Sequence, residues 1–219
     1  MSGLFETIRV REGTIPFREA HLVRLRAGLE TIGLPALPAL IEERLADHAR
    51  AGEAVLRLTA DVGGPRIETR PVPKARPMRM VISGTRHEPY PLKRTERDVF
   101  ERAREGVVPS RADEVLLLTG DGFLAEGCIT SVFFWVGDTL CTPGLDLGIL
   151  PGIGRARVLE LAARRGIPVR EGGFLRGEFE GLSLFLVNAV RGIVEITRHG
   201  ELRPPRDERT ARLAAAFWG

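Results

Sequence analysis

Residues 123–162, FLAEGCITSVFFWVGDTLCTPGLDLGILPGIGRARVLELA, carry the strongest structural signal in this 219-residue chain. A short apolar strand runs through Glu126, and a strongly apolar strand, SVFFWV, follows after a brief turn. The turn GD, the strand TLCTP and a loop rich in glycine and proline then lead into a helix predicted over 154–165. The segment therefore predicts paired strands that deliver one loop to the start of a helix.

The loop LPGIGR, residues 150–155, has the composition of an anion-binding turn. Gly152 and Gly154 would let backbone N–H groups approach a ligand closely, because neither residue has a Cβ. The first turn of the following helix offers unpaired N–H groups at the positive end of its dipole, which suits a phosphate. An ordinary strand-to-helix turn also favours Gly and Pro, so the loop alone leaves that alternative open.

Composition limits the function classes only broadly. Hydrophobic residues make up 43% and charged residues 28%, with no apolar run near the roughly 20 residues that cross a bilayer. Together with an N-terminus that lacks a signal-peptide pattern, this predicts a cytoplasmic, globular protein without membrane contact. Cys128 and Cys141 stand outside any Cys/His cluster, so we predict free, buried thiols and no metal site.

The basic pI of about 9.4 first suggests nucleic acid as a partner. Arginine alternates with acidic residues along segments such as TERDVFERAREG, as on solvated helix faces with paired charges. No interleaved aromatic residues or recognised motif support nucleic-acid binding. A small anionic ligand explains the charge equally well, and we predict no nucleic-acid partner.

The pattern of elements predicts an α/β (α+β) protein with two mixed α/β subdomains. Residues 1–83 contain a predicted hairpin at 4–17, two helices and three further strands. Residues 84–93, GTRHEPYPLK, interrupt the pattern with two prolines and a glycine and form the predicted linker. Residues 94–219 make the larger C-terminal subdomain. A cofactor cleft between the two subdomains is the default position for a ligand.

The segment 123–162 resembles, along its whole length, the signature of class IV aminotransferases, the fold-type IV pyridoxal-phosphate enzymes. In that family a glutamate precedes a small-residue turn and an apolar strand, and TP and LPG turns follow before a helix. The matching positions are Glu126, Gly127, Ser131, Phe133, Thr142, Pro143, Leu150, Pro151, Gly152 and Arg155. The likeness extends to FETIRV, REAHLVRL and LFLVNAVRGIVEI, so it covers most of the chain and implies a D-amino-acid aminotransferase-like fold that binds pyridoxal 5′-phosphate.

Only two lysines, Lys74 and Lys93, could supply the amine with which such enzymes hold their cofactor as a Schiff base. Lys74 lies in PVPKARP, a proline-rich stretch typical of a solvated loop. Lys93 lies in YPLKRTERDVFERA, which resembles the lysine-bearing segment of the family just before a helix. The resemblance therefore implies Lys93 as the catalytic residue, with a plain surface lysine as the alternative. Loss of its proton from a pKa of about 10.4 would need partial burial and nearby positive charge.

The resemblance also implies how the cofactor would be held. Glu126 would accept a hydrogen bond from the protonated pyridine nitrogen and strengthen the ring as an electron sink. Arg24 would bind the phosphate with charge-assisted hydrogen bonds, beside the backbone amides of Ile153 and Gly154. The remaining cofactor-facing candidates are Ser131, Asn188 and Ala189. Each position has a plain alternative, either a turn residue or a solvated arginine.

Arg57 and Arg191 are the candidates for the carboxylate of a small, amino-acid-like substrate, because a planar guanidinium suits bidentate recognition. Both could equally be salt-bridged surface residues. The resemblance further implies a homodimer.

Departures from the family pattern indicate a subgroup. The family usually has Thr where Gly154 stands and Asn where Ser131 stands, and the only tyrosine, Tyr90, precedes Lys93. These features favour the short members that resemble 4-amino-4-deoxychorismate lyase, which release pyruvate to give 4-aminobenzoate for folate biosynthesis. The open alternatives are an aminotransferase that uses branched-chain or D-amino acids with an oxo-acid acceptor, and a non-catalytic scaffold of the same fold.

Overall fold

The computed structural model describes residues 3–105, 107 and 112–219. The chain forms two compact units, the first comprising Met1–Lys74 with Leu92–Glu96 and the second Ala75–Pro91 with Arg97–Gly219. Strands and helices are mixed in sequence, which confirms the predicted α/β class. No helix in the described ranges is both long enough and apolar enough to cross a membrane.

The first unit is built on a three-stranded antiparallel sheet in the order β1-β2-β3. Its strands and helices are β1 Leu4–Val10, α1 Arg18–Thr31, α2 Ile41–Arg50, β2 Ala54–Asp61 and β3 Gly64–Arg70. Alternate side chains of β1, from Leu4 to Val10, join a core with apolar residues of both helices and of β2. The register of β1 on β2 runs from Leu4 opposite Ala60 to Val10 opposite Ala54.

The hairpin predicted over 4–17 is wrong. Its first half is β1, but after the turn only Arg11 and Thr14 form an isolated bridge, and α1 begins at Arg18. The alternation that predicts a strand carries no information about its partner. The partner of β1 is β2, more than forty residues further along the chain, and that pairing depends on the tertiary fold.

Residues 92–96 continue this unit along the other edge of β1. Phe5 N–H donates to the carbonyl of Lys93 at 2.9 Å, and Thr95 N–H donates to the carbonyl of Gly3 at 2.8 Å. Leu4 and Arg94 form an antiparallel bridge. The backbone of Lys93 is therefore fixed against a strand, although the sequence predicts a linker there.

The second unit contains an eight-stranded mixed sheet in the order β6-β5-β4-β11-β10-β7-β8-β9. Its strands are β4 Met78–Arg86, β5 Glu114–Leu118, β6 Leu124–Gly127, β7 Ser131–Val136, β8 Thr139–Pro143, β9 Val169–Gly172, β10 Leu184–Asn188 and β11 Gly192–His199. Its helices are α3 Asp98–Glu105, α4 Ile153–Arg164, α5 Arg176–Phe179 and α6 Glu208–Ala216. Strands β5, β7 and β10 are buried along nearly their whole length, as expected for strands covered on both faces.

Strand β4 pairs in parallel with both β5 and β11, so it belongs to the second sheet. The sequence pattern groups this strand, RPMRMVIS, with residues 1–83. Its pairing places it with the C-terminal strands because parallel partners can lie far apart in the chain. Cys128 and Cys141 are buried and unpaired, as predicted.

Candidate active site

Glu6, on β1 of the first unit, is fully buried and bonded to two side chains of α1. Arg24 donates from Nε to Oε1 at 2.8 Å and from Nη2 to Oε2 at 2.6 Å, while His21 Nδ1 lies 2.8 Å from Oε2. Burial alone would raise the pKa of Glu6, but the hydrogen bond with His21 and the charge of Arg24 outweigh it. Together they lower that pKa to about 2. Glu6 is therefore an anion in the folded protein.

His21 is neutral beside this anion. Burial lowers its pKa below the ordinary value of 6.5. Because Glu6 is ionised, the His21 proton lies on Nδ1, which donates to Oε2. Nε2 is then a buried acceptor, and no described residue donates a hydrogen bond to it. Arg24, the predicted phosphate ligand, is thus anchored by a carboxylate that a buried histidine holds in place.

Lys93 and Arg57 meet on the ring of Phe5, also in the first unit. Lys93 Nζ lies 4.7 Å from the ring centroid and Arg57 Cζ lies 3.8 Å from it. Both distances are in the range of cation–π contacts. Lys93 is half-buried, and Lys74 is exposed between β3 and β4. The predicted catalytic lysine and one predicted substrate arginine therefore contact the same aromatic ring.

In the second unit, the start of α4 has the form of an anion-binding turn. Gly152 precedes the helix in an extended conformation, no side chain caps the helix, and its first turn contains no acidic residue. A Cβ built on Gly152 would lie only 2.8 Å from Ser131 Oγ. The hydroxyl of Ser131 and the amides of Ile153 and Gly154 therefore lie at the same helix end.

Gly154 packs directly on the end of β10. A Cβ at this position would lie 2.8 Å from the carbonyl carbon of Asn188 and 2.9 Å from its Cα. Backbone atoms cannot move aside as a flexible side chain can, so any side chain at 154 would push α4 away from β10. The departure from the family's threonine thus has a packing cause.

Asn188 organises the turn that follows β10. Its Oδ1 accepts from the backbone N–H groups of Val190, at 3.0 Å, and of Arg191, at 2.8 Å, while Nδ2 donates to the carbonyl of Ile129 at 3.2 Å. Ala189 is buried within this turn. Burial and the charge of Arg76 lower the pKa of Arg191 below its ordinary value.

Glu126, at the end of β6, is buried and accepts two hydrogen bonds on one oxygen. His87 Nε2 lies 3.0 Å from Oε1, and the backbone N–H of Leu150 donates to the same oxygen at 3.1 Å. Leu150 belongs to the loop that leads into α4. The predicted ring-binding carboxylate and the predicted phosphate-binding loop are therefore directly connected.

A second buried carboxylate, Glu114 on β5, supports the turn after β6. Its oxygens accept from the hydroxyl of Thr130, at 2.9 Å, from the N–H groups of Val115 and Ile129, and from Arg104. Burial raises the pKa of Glu114 against the opposing effect of these donors. Only glycine fits at 127, because a Cβ there would lie 2.3 Å from the Thr130 hydroxyl.

Two residues of the recognised signature make contacts that hold neighbouring elements of the fold together. Arg155 is buried and donates from Nη2 to the carbonyl of Pro143 at 2.8 Å and to Glu171, so it ties α4 to β8 and β9. The hydroxyl of Thr142 donates to the carbonyl of Val132 at 2.9 Å, between β8 and β7.

Comparison with known proteins defines the class of this protein. The model of the amino-transferase class IV family matches residues 3–199, and the chain belongs to that family of pyridoxal-phosphate-dependent enzymes. The predicted family, fold class and cofactor are thereby confirmed.

Two curated relatives differ in activity. Over 114 residues, which are 52% of this chain and 41% of the relative, the sequence is 38% identical to a probable branched-chain-amino-acid aminotransferase of Thermotoga maritima. That match spans less than half of the relative's length. Over 232 residues, covering 91% of this chain and 78% of the relative, it is 26% identical to aminodeoxychorismate lyase of Bacillus subtilis.

A solved structure agrees with these relatives. The crystal structure of 4-amino-4-deoxychorismate lyase from Pseudomonas aeruginosa superposes with a TM-score of 0.87 at 27% identity, covering 98% of this chain and 89% of the other.

The residues of the second unit fit pyridoxal phosphate. The helix start at Gly152 is a glycine-lined cradle with no internal cap, as a phosphate requires. Within the described residues, both hydrogen bonds accepted by the Glu126 side chain fall on Oε1, which leaves Oε2 available to a ring nitrogen.

Three residues that support the predicted ones were not found from the sequence: Glu6 and His21, which bond to each other beside Arg24 in the first unit, and His87, which bonds Glu126 in the second. A signal for the first existed, because Glu6 occupies an inward position between Leu4 and Ile8 on an alternating strand. His21 stands three residues before Arg24 and so shares its helix face. His87 gave no signal, because it lies in an irregular segment whose path the sequence does not specify.

Proposed function

We propose that this protein is a 4-amino-4-deoxychorismate lyase-like enzyme, which releases pyruvate from its substrate and leaves 4-aminobenzoate. The observation that carries the proposal is the coverage of the lyase match, 91% of this chain and 78% of the Bacillus subtilis enzyme. The aminotransferase match is closer in identity but covers only 52% of this chain.

In the proposed mechanism, the amine of Lys93 would hold the cofactor, and it would also move a proton at the substrate carbon. Pyridoxal phosphate supplies an aldehyde that couples to amines and a ring that withdraws electrons. The ring of Phe5 contacts both the Lys93 amine and the Arg57 guanidinium, so one aromatic side chain helps to position both groups. Lys93 is half-buried, so its Nζ retains a route to substrate.

The remaining proposed residues hold the ring and the phosphate of the cofactor. Glu126 keeps a proton on the ring nitrogen through its second oxygen, Oε2. Arg24 and the amides of Ile153 and Gly154 bind the phosphate, with Ser131 beside them. Asn188 and Ala189 form the adjoining turn.

Arg57 and Arg191 are the proposed ligands of the substrate carboxylate groups. The substrate of the lyase carries more than one carboxylate, so two guanidinium groups suit it. For Arg57, the support is that it contacts Phe5, the ring that Lys93 also contacts.

An aminotransferase that acts on branched-chain or D-amino acids is the second candidate. The 38% identity to the Thermotoga maritima relative favours it. All the cofactor-binding assignments above would hold unchanged, because only the substrate contacts differ between the two activities. A homodimer and a cytoplasmic location remain proposals that rest on the family.

The first test concerns the lysine. Wild-type protein, Lys93→Ala and the matched control Lys74→Ala are mixed with pyridoxal phosphate, and absorbance spectra are recorded before borohydride reduction and peptide mapping. We expect a near-visible band and a reduced adduct on Lys93 in the wild type and the control, and neither in Lys93→Ala. An adduct confined to Lys74 would contradict the site.

The second test separates the two activities. The loaded enzyme is supplied with aminodeoxychorismate, and 4-aminobenzoate and pyruvate are measured. A parallel assay offers branched-chain and D-amino acids with 2-oxoglutarate. Equal amounts of 4-aminobenzoate and pyruvate support the lyase. Amine transfer without 4-aminobenzoate replaces it with the second candidate, and no turnover by protein that binds the cofactor favours the non-catalytic scaffold.

A further inference from the structure

His87 is buried against the one carboxylate that the proposed cofactor ring needs. Its side chain is 1% exposed and that of Glu126 is 7% exposed. The distance from Nε2 to Oε1 is 3.0 Å, a normal hydrogen bond. The second donor to Oε1 is the backbone N–H of Leu150, which cannot change its role.

These two donors determine what the carboxylate can still do. A carboxylate has two oxygens, and two donors on Oε1 fix the rotation of the group. Oε2 is then presented in one direction only. Without His87, the Leu150 N–H alone would have to hold the group, and the carboxylate could rotate about its last bond.

The imidazole itself is held by its neighbours. The backbone N–H of His87 donates to the carbonyl of Leu118 at 2.8 Å. The imidazole ring packs edge-on against Phe100, with the ring centroids 6.3 Å apart. Three residues further, Tyr90 N–H donates to the carbonyl of Gly148 at 2.7 Å. The segment that carries His87 is therefore bonded to β5 and to the loop before α4.

Gly148 makes this contact possible. It has a φ of +74°, and a Cβ there would lie 3.0 Å from Pro89. The close approach brings the His87–Tyr90 segment against the loop that contains Leu150, so both donors to Glu126 come from two segments fastened to each other.

We propose that His87 is a positioning residue for the cofactor: it holds Glu126 Oε1 so that Oε2 meets the pyridine nitrogen. This inference rests on the proposed function, because it assigns the ring nitrogen to Glu126. His87 acts through Glu126 and does not itself touch the cofactor. Because His87 and the backbone N–H of Leu150 bond the same oxygen of Glu126, the orientation of that carboxylate is also linked to the predicted phosphate-binding loop.

The test compares variants that keep or lose the donor. His87→Gln places an amide N–H where Nε2 stands, whereas His87→Phe keeps a ring without a donor. The control is His48→Phe, since His48 lies on α2 in the first unit and its ring bonds the hydroxyl of Thr69. Apo-protein of each variant is titrated with pyridoxal phosphate, and its melting temperature is measured without the cofactor.

We expect His87→Phe to weaken cofactor binding about tenfold, the scale of a lost hydrogen bond to a charged group. His87→Gln should remain within about threefold of the wild type. Binding by His48→Phe should match the wild type. The absorbance band of bound cofactor should shift in His87→Phe and return in His87→Gln, a readout that loss of packing alone would not restore.

A double-mutant cycle with Glu126→Ala isolates the pair. If His87 acts through Glu126, then His87→Phe should weaken binding by less than about twofold once the carboxylate is gone. A full tenfold loss in the Glu126→Ala background would overturn the proposal, because it would show that His87 acts independently. Equal binding by wild type and His87→Phe would overturn it as well.

Two outcomes are kept apart by design. If the wild type forms no adduct on Lys93, the proposed function fails and the His87 comparison is not reached. If the wild type forms the adduct and the His87 variants bind equally, only this inference fails. Should His87→Phe not fold, His87→Asn, whose amide is too short to reach Oε1, takes its place against His87→Gln.

Discussion

Glu6 and Glu126 are both buried carboxylates on strands, but their hydrogen bonds differ. Glu6 in the first unit bonds a guanidinium through both oxygens and an imidazole through one. Glu126 in the second unit bonds an imidazole and a backbone N–H, both through one oxygen. A carboxylate with hydrogen bonds to both oxygens stabilises the fold, whereas a carboxylate with hydrogen bonds to one oxygen can still bind a ligand through the other.

The largest effect on stability should come from Glu6→Gln. The lowering of the Glu6 pKa from 4.5 to about 2 corresponds to about 3 kcal/mol of stability at pH 7. The variant removes the anion and leaves Arg24 without its charged partner, so chemical denaturation at pH 7 should show a loss of this size. A loss below about 1 kcal/mol would show that Glu6 and Glu126 are held alike.

The contribution of Glu6 to stability should depend on pH in a defined direction. A folded pKa below the unfolded one stabilises the protein above the unfolded pKa, and the gain is lost as the pH falls. The stability difference between wild type and Glu6→Gln should therefore shrink from about pH 4.5 to about pH 2.

An intermediate effect should come from Glu114→Gln, which lies between the two cases. This carboxylate also has an arginine, but Arg104 is largely solvated, and burial raises the Glu114 pKa. The amide removes the cost of a buried charge while it disturbs the donors, so we expect a loss of about 1 kcal/mol at pH 7.

Its pH trend should be opposite to that of Glu6. A folded pKa above the unfolded one makes the wild type less stable as the pH rises above about 4.5, where the unfolded carboxyl ionises first. The gap between wild type and Glu114→Gln should therefore narrow with rising pH. If the stability difference between wild type and Glu114→Gln widened with rising pH, the folded-state pKa of Glu114 would be lowered, as that of Glu6 is.

The smallest effect on the cofactor-free protein should come from Glu126→Gln. The amide oxygen can accept both hydrogen bonds that Oε1 accepts, so the free energy of unfolding should change by less than about 0.5 kcal/mol. Affinity for pyridoxal phosphate should nevertheless fall about tenfold, because the amide N–H₂ would then face the ring nitrogen. Unchanged cofactor binding would remove the distinction between the two carboxylates.

The chain sequence predicted much of this arrangement, but not evenly. Residues 123–162 predicted strands, turns and a helix close to where the structure has them, because their apolar spacing and turn residues act locally. The roles of Lys93 and Glu126 came from resemblance and remain predictions. The hairpin at 4–17 failed because a strand pattern does not specify its partner.

The roles of single residues show the same division. Arg155 and Thr142 belong to the recognised signature, yet their contacts are with backbone carbonyls of neighbouring strands. Only the structure shows why Gly154 replaces a threonine, since the obstacle is the backbone of Asn188, over thirty residues away.

By itself, the sequence determined most of the strands and helices, because these depend on residue types and on spacing along the chain, and its resemblance to class IV aminotransferases predicted the family and the cofactor. The tertiary structure decided which carboxylate is saturated and which keeps an oxygen for a ligand. Glu6 meets His21 and Arg24, and Glu126 meets His87, only after strands and helices pack. Charge and hydrogen bonding act through distances of about 3 Å that the order of residues does not specify.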